Sequence, residues 1–148
     1  MNTIDEARYR LMLAEGYLDK AEGFFRQDAW HDCVRDAQGS IENAGKSIIA
    51  CFTPIEKTHD PVKQIEALLK KGGIPSTIRE SIEAALPALS ALGREDHIRA
   101  TYGDETTFTP PWDLFDEAKA EAALRAARQA TTTARRVFQD LFEGDTAQ

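Results

Sequence analysis

Histidine and cysteine are scarce in this chain of 148 residues. Its three histidines and two cysteines contain no CxxC or HExxH spacing, which leaves a structural or catalytic zinc site without support. Cys33 and Cys51 fall on one expected helix about five turns apart, beyond the reach of a disulfide within it. They read as small apolar fillers, and a bridge between two chains finds little support in a reducing cytosol. Glycine forms no phosphate-cradling loop, no stretch alternates convincingly as a strand, and no repeat of about 20–50 residues marks a solenoid. No apolar run approaches the roughly 20 residues of a membrane span, and the N-terminal MNTIDEARYR is charged where a secretory signal is apolar. The expectation is a cytoplasmic protein without membrane attachment. A net charge of −7 argues against a general nucleic-acid coat, whose affinity comes from neutralising phosphates. A local basic cleft and a basic partner remain compatible with it.

What the chain does contain is helical periodicity. From Asp28 to Phe52, the residues Val34, Ala37, Ile41, Ala44, Ile48 and Cys51 recur at spacings of three and four, one apolar stripe suited to packing between other helices. Beside it runs a polar ridge of Arg35, Gln38, Glu42 and Lys46. The ridge is either a solvated face with an ordinary Glu42–Lys46 pair or the lining of a groove or partner surface. Before it, Thr3 and Glu6 have capping-box spacing, and Ile4, Ala7, Leu11, Ala14, Leu18, Ala21 and Phe25 form a seam on a first helix ending near Phe25. A short turn with Asp28 as N-cap makes these two helices an antiparallel hairpin.

Pro54 and Pro61 end the second helix. Asp60 and Pro61 open a short third one, carrying Val62, Ile65, Leu68 and Leu69 and closed by Gly72-Gly73. A fourth begins at Pro75-Ser76 with Ile78, Ile82, Leu86, Leu89 and Leu92, and Pro87 should kink or divide it. Residues 93–111 have no sustained period and read as the longest irregular segment. A last helix is expected from about Asp113 to Phe142, with Leu114, Phe115, Ala118, Ala122, Ala126, Ala130, Ala134, Val137, Phe138 and Leu141 inward. The expectation is one all-α domain over 1–148, an up-and-down bundle of about five helices with a frayed tail at 143–148.

The hairpin ARYR…YLDKAEGFFRQDAWHDCVRDAQGSIENAGKSIIA, the His59-Asp60 turn, TYGDE, the PPWDLF turn and the EAKAEAALRAARQA helix together resemble the HEPN domain family over nearly the whole chain. The resemblance implies a prokaryotic helical bundle that pairs as a homodimer, often beside a minimal nucleotidyltransferase in toxin–antitoxin pairs. Many members are metal-independent endoribonucleases with an arginine followed a few residues later by a histidine, near the start of the last long helix or in the loop before it. Others lack that motif and act as binding modules. Here the region offers Arg94-Glu95-Asp96-His97 and then Arg99, a spacing too short for the motif. Arg26 and His31 have a suitable spacing, but in the turn between the first two helices, where it reads as chance and His31 as a surface residue.

Metal-free RNA cleavage needs a base, an acid and a cation for the charged phosphorane. His97, Arg99 and Tyr102 form the one close cluster with all three types; the alternative is polar loop residues, with Tyr102 anchoring the loop on the bundle. Arg35, Glu42, Lys46 and His59 are the candidate binding residues, although His59 beside Asp60 also suits a hydrogen bond to a helix start. Trp30 and Trp112 could stack on bases but stand where large rings seal bundles. Arg128, Arg135 and Arg136 suit phosphate, an acidic partner helix or plain solvation. The functional expectation is a dimeric interaction module binding RNA, a nucleotide or a partner protein, with no cofactor and no metal. The alternative is an endoribonuclease toxin.

Overall fold

A computed structural model describes residues 3–57 and 60–143, apart from the side chains at 94, 95, 97 and 98. The elements are α1 (Thr3–Arg26), α2 (Trp30–Ala50), α3 (Val62–Lys71), α4 (Ser76–Leu89), α5 (Arg94–Tyr102), a 3-10 turn (Pro111–Asp113) and α6 (Glu117–Phe142). The all-α bundle expected from periodicity is what forms, with six α-helices among the described residues where about five were expected. The tail at 144–148 and His59 lie outside the described residues. Among the described residues, no helix is long and apolar enough to cross a membrane.

Helix α2 lies at the centre and touches every other element. Its predicted stripe is the core: Val34, Ala37, Ile41, Ala44 and Ile48 are buried, with Cys51 half-buried at the helix end. Burial this extensive reaches polar positions as well, and each finds a partner. Ser40 Oγ lies 2.8 Å from the Ala14 carbonyl and 2.9 Å from Thr131 Oγ1. A carbonyl can only accept, so Ser40 donates its single hydrogen to Ala14 and Thr131 donates to Ser40. One hydroxyl thereby ties α1, α2 and α6. Two turns on, Ser47 Oγ donates to the Ala7 carbonyl at 2.9 Å. As one index rises the other falls, so α1 and α2 are antiparallel, as the short turn implied. Cys33 facing Ala120 and Ser40 facing Thr131 show α6 running parallel to α2.

Several local expectations shift. Asp28 is not the N-cap of α2: it takes a left-handed φ of 59°, and Ala29 holds the cap position without a side-chain bond. Pro61, not Asp60, holds the N-cap position of α3, although the Asp60 carboxylate one place earlier accepts from Val62 N at 3.2 Å, and Gly72 and Gly73 end that helix with φ of 83° and 88°, which side-chain-bearing residues rarely adopt. Helix α4 runs through Pro87 undivided, in its last turn. Helix α6 begins at Glu117, not near Asp113, because Asp116 caps it by accepting from Lys119 N at 2.9 Å.

The inward face of α6 also differs in its first half. Ala120, Ala123, Leu124 and Ala127 are buried, whereas Ala118 and Ala122 are exposed. Alanine on all sides of EAKAEAALRAARQA gives little contrast between faces, and tertiary packing chose the one bearing Leu124. The arginines find an acidic helix within the chain: Arg128 Nε is 3.3 Å from Glu22 and Arg135 Nη2 is 2.9 Å from Glu15, both on α1. Arg136 is exposed.

Two glycines test this packing. A Cβ at Gly45 would stand 2.7 Å from Pro61 Cγ, whereas nothing lies within 4 Å of one at Gly16. Gly45→Ala should destabilise by a net of about 1–2 kcal/mol in urea melts, since overpacking against a rigid ring outweighs the better helix propensity. Gly16→Ala should stabilise by about 0.5–1 kcal/mol. Ser40→Ala should cost about 1–3 kcal/mol by the same measurement, because it removes the shared hydroxyl from a closed interior.

Candidate functional site

The residues singled out by sequence do not converge on one place. Along α2, Arg35 is exposed and donates to Asp32 at 3.0 Å, a contact one turn back on its own helix. Gln38 is half-buried. Lys46 Nζ lies 3.8 Å from Glu42 Oε2, with only 13% of the Lys46 side chain and 26% of the Glu42 side chain exposed. The ridge therefore divides into a solvated end at Arg35 and a sheltered end at Lys46. Between them Asp36 is partly withdrawn from water, and that burial raises its carboxyl above the usual range, against the pull of Arg35 and Lys20.

The sheltered end adjoins polar residues that the pattern did not single out. Asn43 is buried between α1 and α2, donating to the Gly39 carbonyl at 2.8 Å and accepting from Arg10 Nη1 at 3.2 Å. Arg10 Nε reaches Glu6 at 3.1 Å, so Glu6 serves this pair rather than a capping box. An asparagine between Ile41 and Ala44 was the available signal, since buried amides need partners. Farther along the hairpin, the Tyr17 ring packs over Gly39, leaving 3.2 Å between its Cγ and a Cβ placed there.

The other cluster is carried by α5, in the segment expected to be irregular. Arg99 and Tyr102 are one turn apart, and position 97 belongs to the same helix, although the His97 side chain lies outside the described residues. Arg99 Nη2 is 3.3 Å from Asp104 Oδ2. Asp104 Oδ1 in turn accepts from Thr106 N, Thr107 N and the Thr106 hydroxyl, and these bonds hold its carboxyl below the usual carboxylate range. Tyr102 does not anchor the segment, being 68% exposed. His31 does this instead: its Nε2 donates to the Ala100 carbonyl, fixing α5 against the start of α2, and its ring lies 6.0 Å from that of Phe115. It was expected at the surface, yet only 13% of its side chain is exposed.

The two tryptophans part company. Trp30 seals the hairpin turn by packing edge-on to Phe25 at 5.2 Å, while Trp112 is 67% exposed and seals nothing. Both thiols are apolar packing groups, raised by burial to about 11 at Cys33 and about 12 at Cys51, so both stay protonated at neutral pH. Among the described residues, no group of three histidine, cysteine or acidic side chains is placed to hold a metal ion. A groove of about 520 Å³ lies between α1 and α6, lined by Arg8, Met12, Glu15, Asp19, Arg135 and Phe138 among others. Arg35, Glu42, Lys46, Arg99 and Tyr102 do not line it, whereas Arg135 does.

The fold has a solved counterpart in the crystal structure of TT1696 from Thermus thermophilus, with a TM-score of 0.69 and 21% identity over 93% of this chain and 99% of that one. At that identity the likeness concerns the fold alone. No curated protein shows significant similarity to the chain. The family model described as HEPN domain matches residues 7–137, nearly the whole bundle from α1 to the last turns of α6, and on that match the chain belongs to the HEPN domain family.

Proposed function

We propose that the chain is a non-catalytic, dimeric interaction module that binds RNA, a nucleotide or a partner protein. The observation that carries this reading is the role of His31. It is the histidine standing at endonuclease-like spacing from an arginine, Arg26, and its Nε2 is bonded to the Ala100 carbonyl in a packed contact between α2 and α5. A general acid or base needs an accessible nitrogen facing the reacting atom. No histidine falls in α6, where the family's motif would open the last helix.

In this reading Arg35, Glu42, Lys46 and His59 belong to the binding surface, and a minimal nucleotidyltransferase of a toxin–antitoxin pair is one partner that family membership suggests. Pairing of two copies draws support from the large apolar side chains exposed on α1, Ile4, Tyr9 and Met12. The competing endoribonuclease would have to work from α5 with His97, Arg99 and Tyr102, and there the Arg99 guanidinium is already engaged by Asp104.

Sedimentation of the purified protein should give twice the monomer mass, and total RNA incubated with it in chelator should stay intact. His31→Ala should lower thermal stability by about 1–2 kcal/mol, the usual cost of losing one partly buried hydrogen bond. RNA cleavage in chelator that disappears in His97→Ala would establish the enzyme instead, and a strictly monomeric species would remove the dimer.

A further inference from the structure

The end of α5 and the segment joining it to α6 display three aromatic side chains to solvent. Phe108 is 91% exposed, and Tyr102 and Trp112 are also mostly open to water. The loop is held in one shape. Asp104 and Thr109 exchange two backbone hydrogen bonds, 2.8 and 2.9 Å long, so the chain closes a short hairpin whose turn is 105–108, with Phe108 its last residue at a left-handed φ of 53°. The Asp104 carboxylate braces the turn from inside through the threonine bonds, and Thr107 and Thr109 join their hydroxyls at 2.7 Å. Gly103, with φ of 78°, lies close against Thr109 and Pro111 at the hairpin base, where a Cβ would strike the Thr109 carbonyl and the Pro111 ring. Tyr102 and Trp112 thus stand on either side of the base in the chain, and Phe108 projects from the turn beside the paired Thr109.

A fully exposed phenylalanine on a braced loop leaves apolar area in water, and little conformational freedom remains to be lost when something covers it. The surrounding charge indicates what that is. Residues 103–121 carry six acidic side chains and one lysine, a net charge of −5. Glu105, Asp113, Asp116 and Glu117 are all exposed around the aromatics. This field repels phosphate and disfavours stacking on nucleic-acid bases. It equally disfavours a second copy of the same loop.

We infer that the Gly103–Asp116 loop is a docking element for a protein partner that presents an apolar socket bordered by lysine or arginine. Phe108 enters the socket, Tyr102 and Trp112 cover its rim, and the exposed carboxylates pair with the bordering cations. Acidic steering speeds the encounter, and the aromatics supply the binding energy. The inference rests on the interaction-module reading and gives it a partner class. It stands apart from the α2 ridge.

The test uses a fluorescein-labelled synthetic peptide alternating arginine with leucine, its glutamate-for-arginine counterpart, and a labelled oligothymidine. Fluorescence anisotropy with the full chain should show saturable binding of the cationic peptide, weakened by added salt, and no binding of the other two. Phe108→Ala and Trp112→Ala should each raise Kd tenfold or more, and Thr132→Ala, exposed in the second half of α6 and remote from the loop, should leave it unchanged. Unaltered melting temperatures in the two aromatic variants would show that the fold persists. Failure of the cationic peptide to bind, or binding indifferent to Phe108 and Trp112, overturns the inference, as does an oligothymidine bound through them. A sedimentation shift to monomer in Phe108→Ala also overturns it by assigning the loop to pairing. The mass and RNA-cleavage results for the unaltered chain judge the broader reading separately, so either can fail alone.

Discussion

A helix that touches all its neighbours has almost no face left for water, and α2 is under that constraint along most of its length. Two kinds of residue meet it. Alanine and glycine, at Ala37, Ala44 and Gly45, let neighbouring elements approach closely, and Ser40 and Ser47 turn the remaining polarity onto the backbone of α1. A buried serine that donates to a helix carbonyl adds a directional bond where apolar packing alone would let helices rotate or slide. The position of α6 depends on the same device, because Thr131 meets the hydroxyl already committed to α1.

Contrast decided how much of this was legible. Where bulky aliphatics alternate with charge, as in Val34, Ile41 and Ile48 against Arg35 and Glu42, the inward face could be read directly and is the one observed. Where alanine dominates, in the first half of α6, periodicity carried no orientation. Helix α5 was unreadable for a different reason: REDHIRATY has no apolar repeat, and what holds it is one buried alanine, the bond from His31 and a glycine closing its end. Each of those is a long-range fact about a short polar segment.

The candidate sites divide in the same way. The spacing of Arg35, Glu42 and Lys46 correctly placed them along α2, but depth is a tertiary property, and only the bundle sets Arg35 in solvent and shelters Lys46. The aromatic side chains show the converse failure. A tryptophan beside a helix end reads as a seal, which holds for Trp30 and not for Trp112, which rides on a 3-10 turn with most of its surface in water. A shared fold supplies the scaffold, and the differences that give a member its task collect in such loops.

The pairs Glu22–Arg128 and Glu15–Arg135 are separated by seven residues on each helix and run in opposite directions. Exposed pairs of this kind add little energy singly, roughly 0–1 kcal/mol. Their shared interval gives them another use: displacing α6 one turn along α1 would mismatch both pairs together, as a vernier loses all its coincidences at once. On a helix whose alanine surface hardly distinguishes one alignment from the next, a pair of matched charges is what rejects the wrong notch.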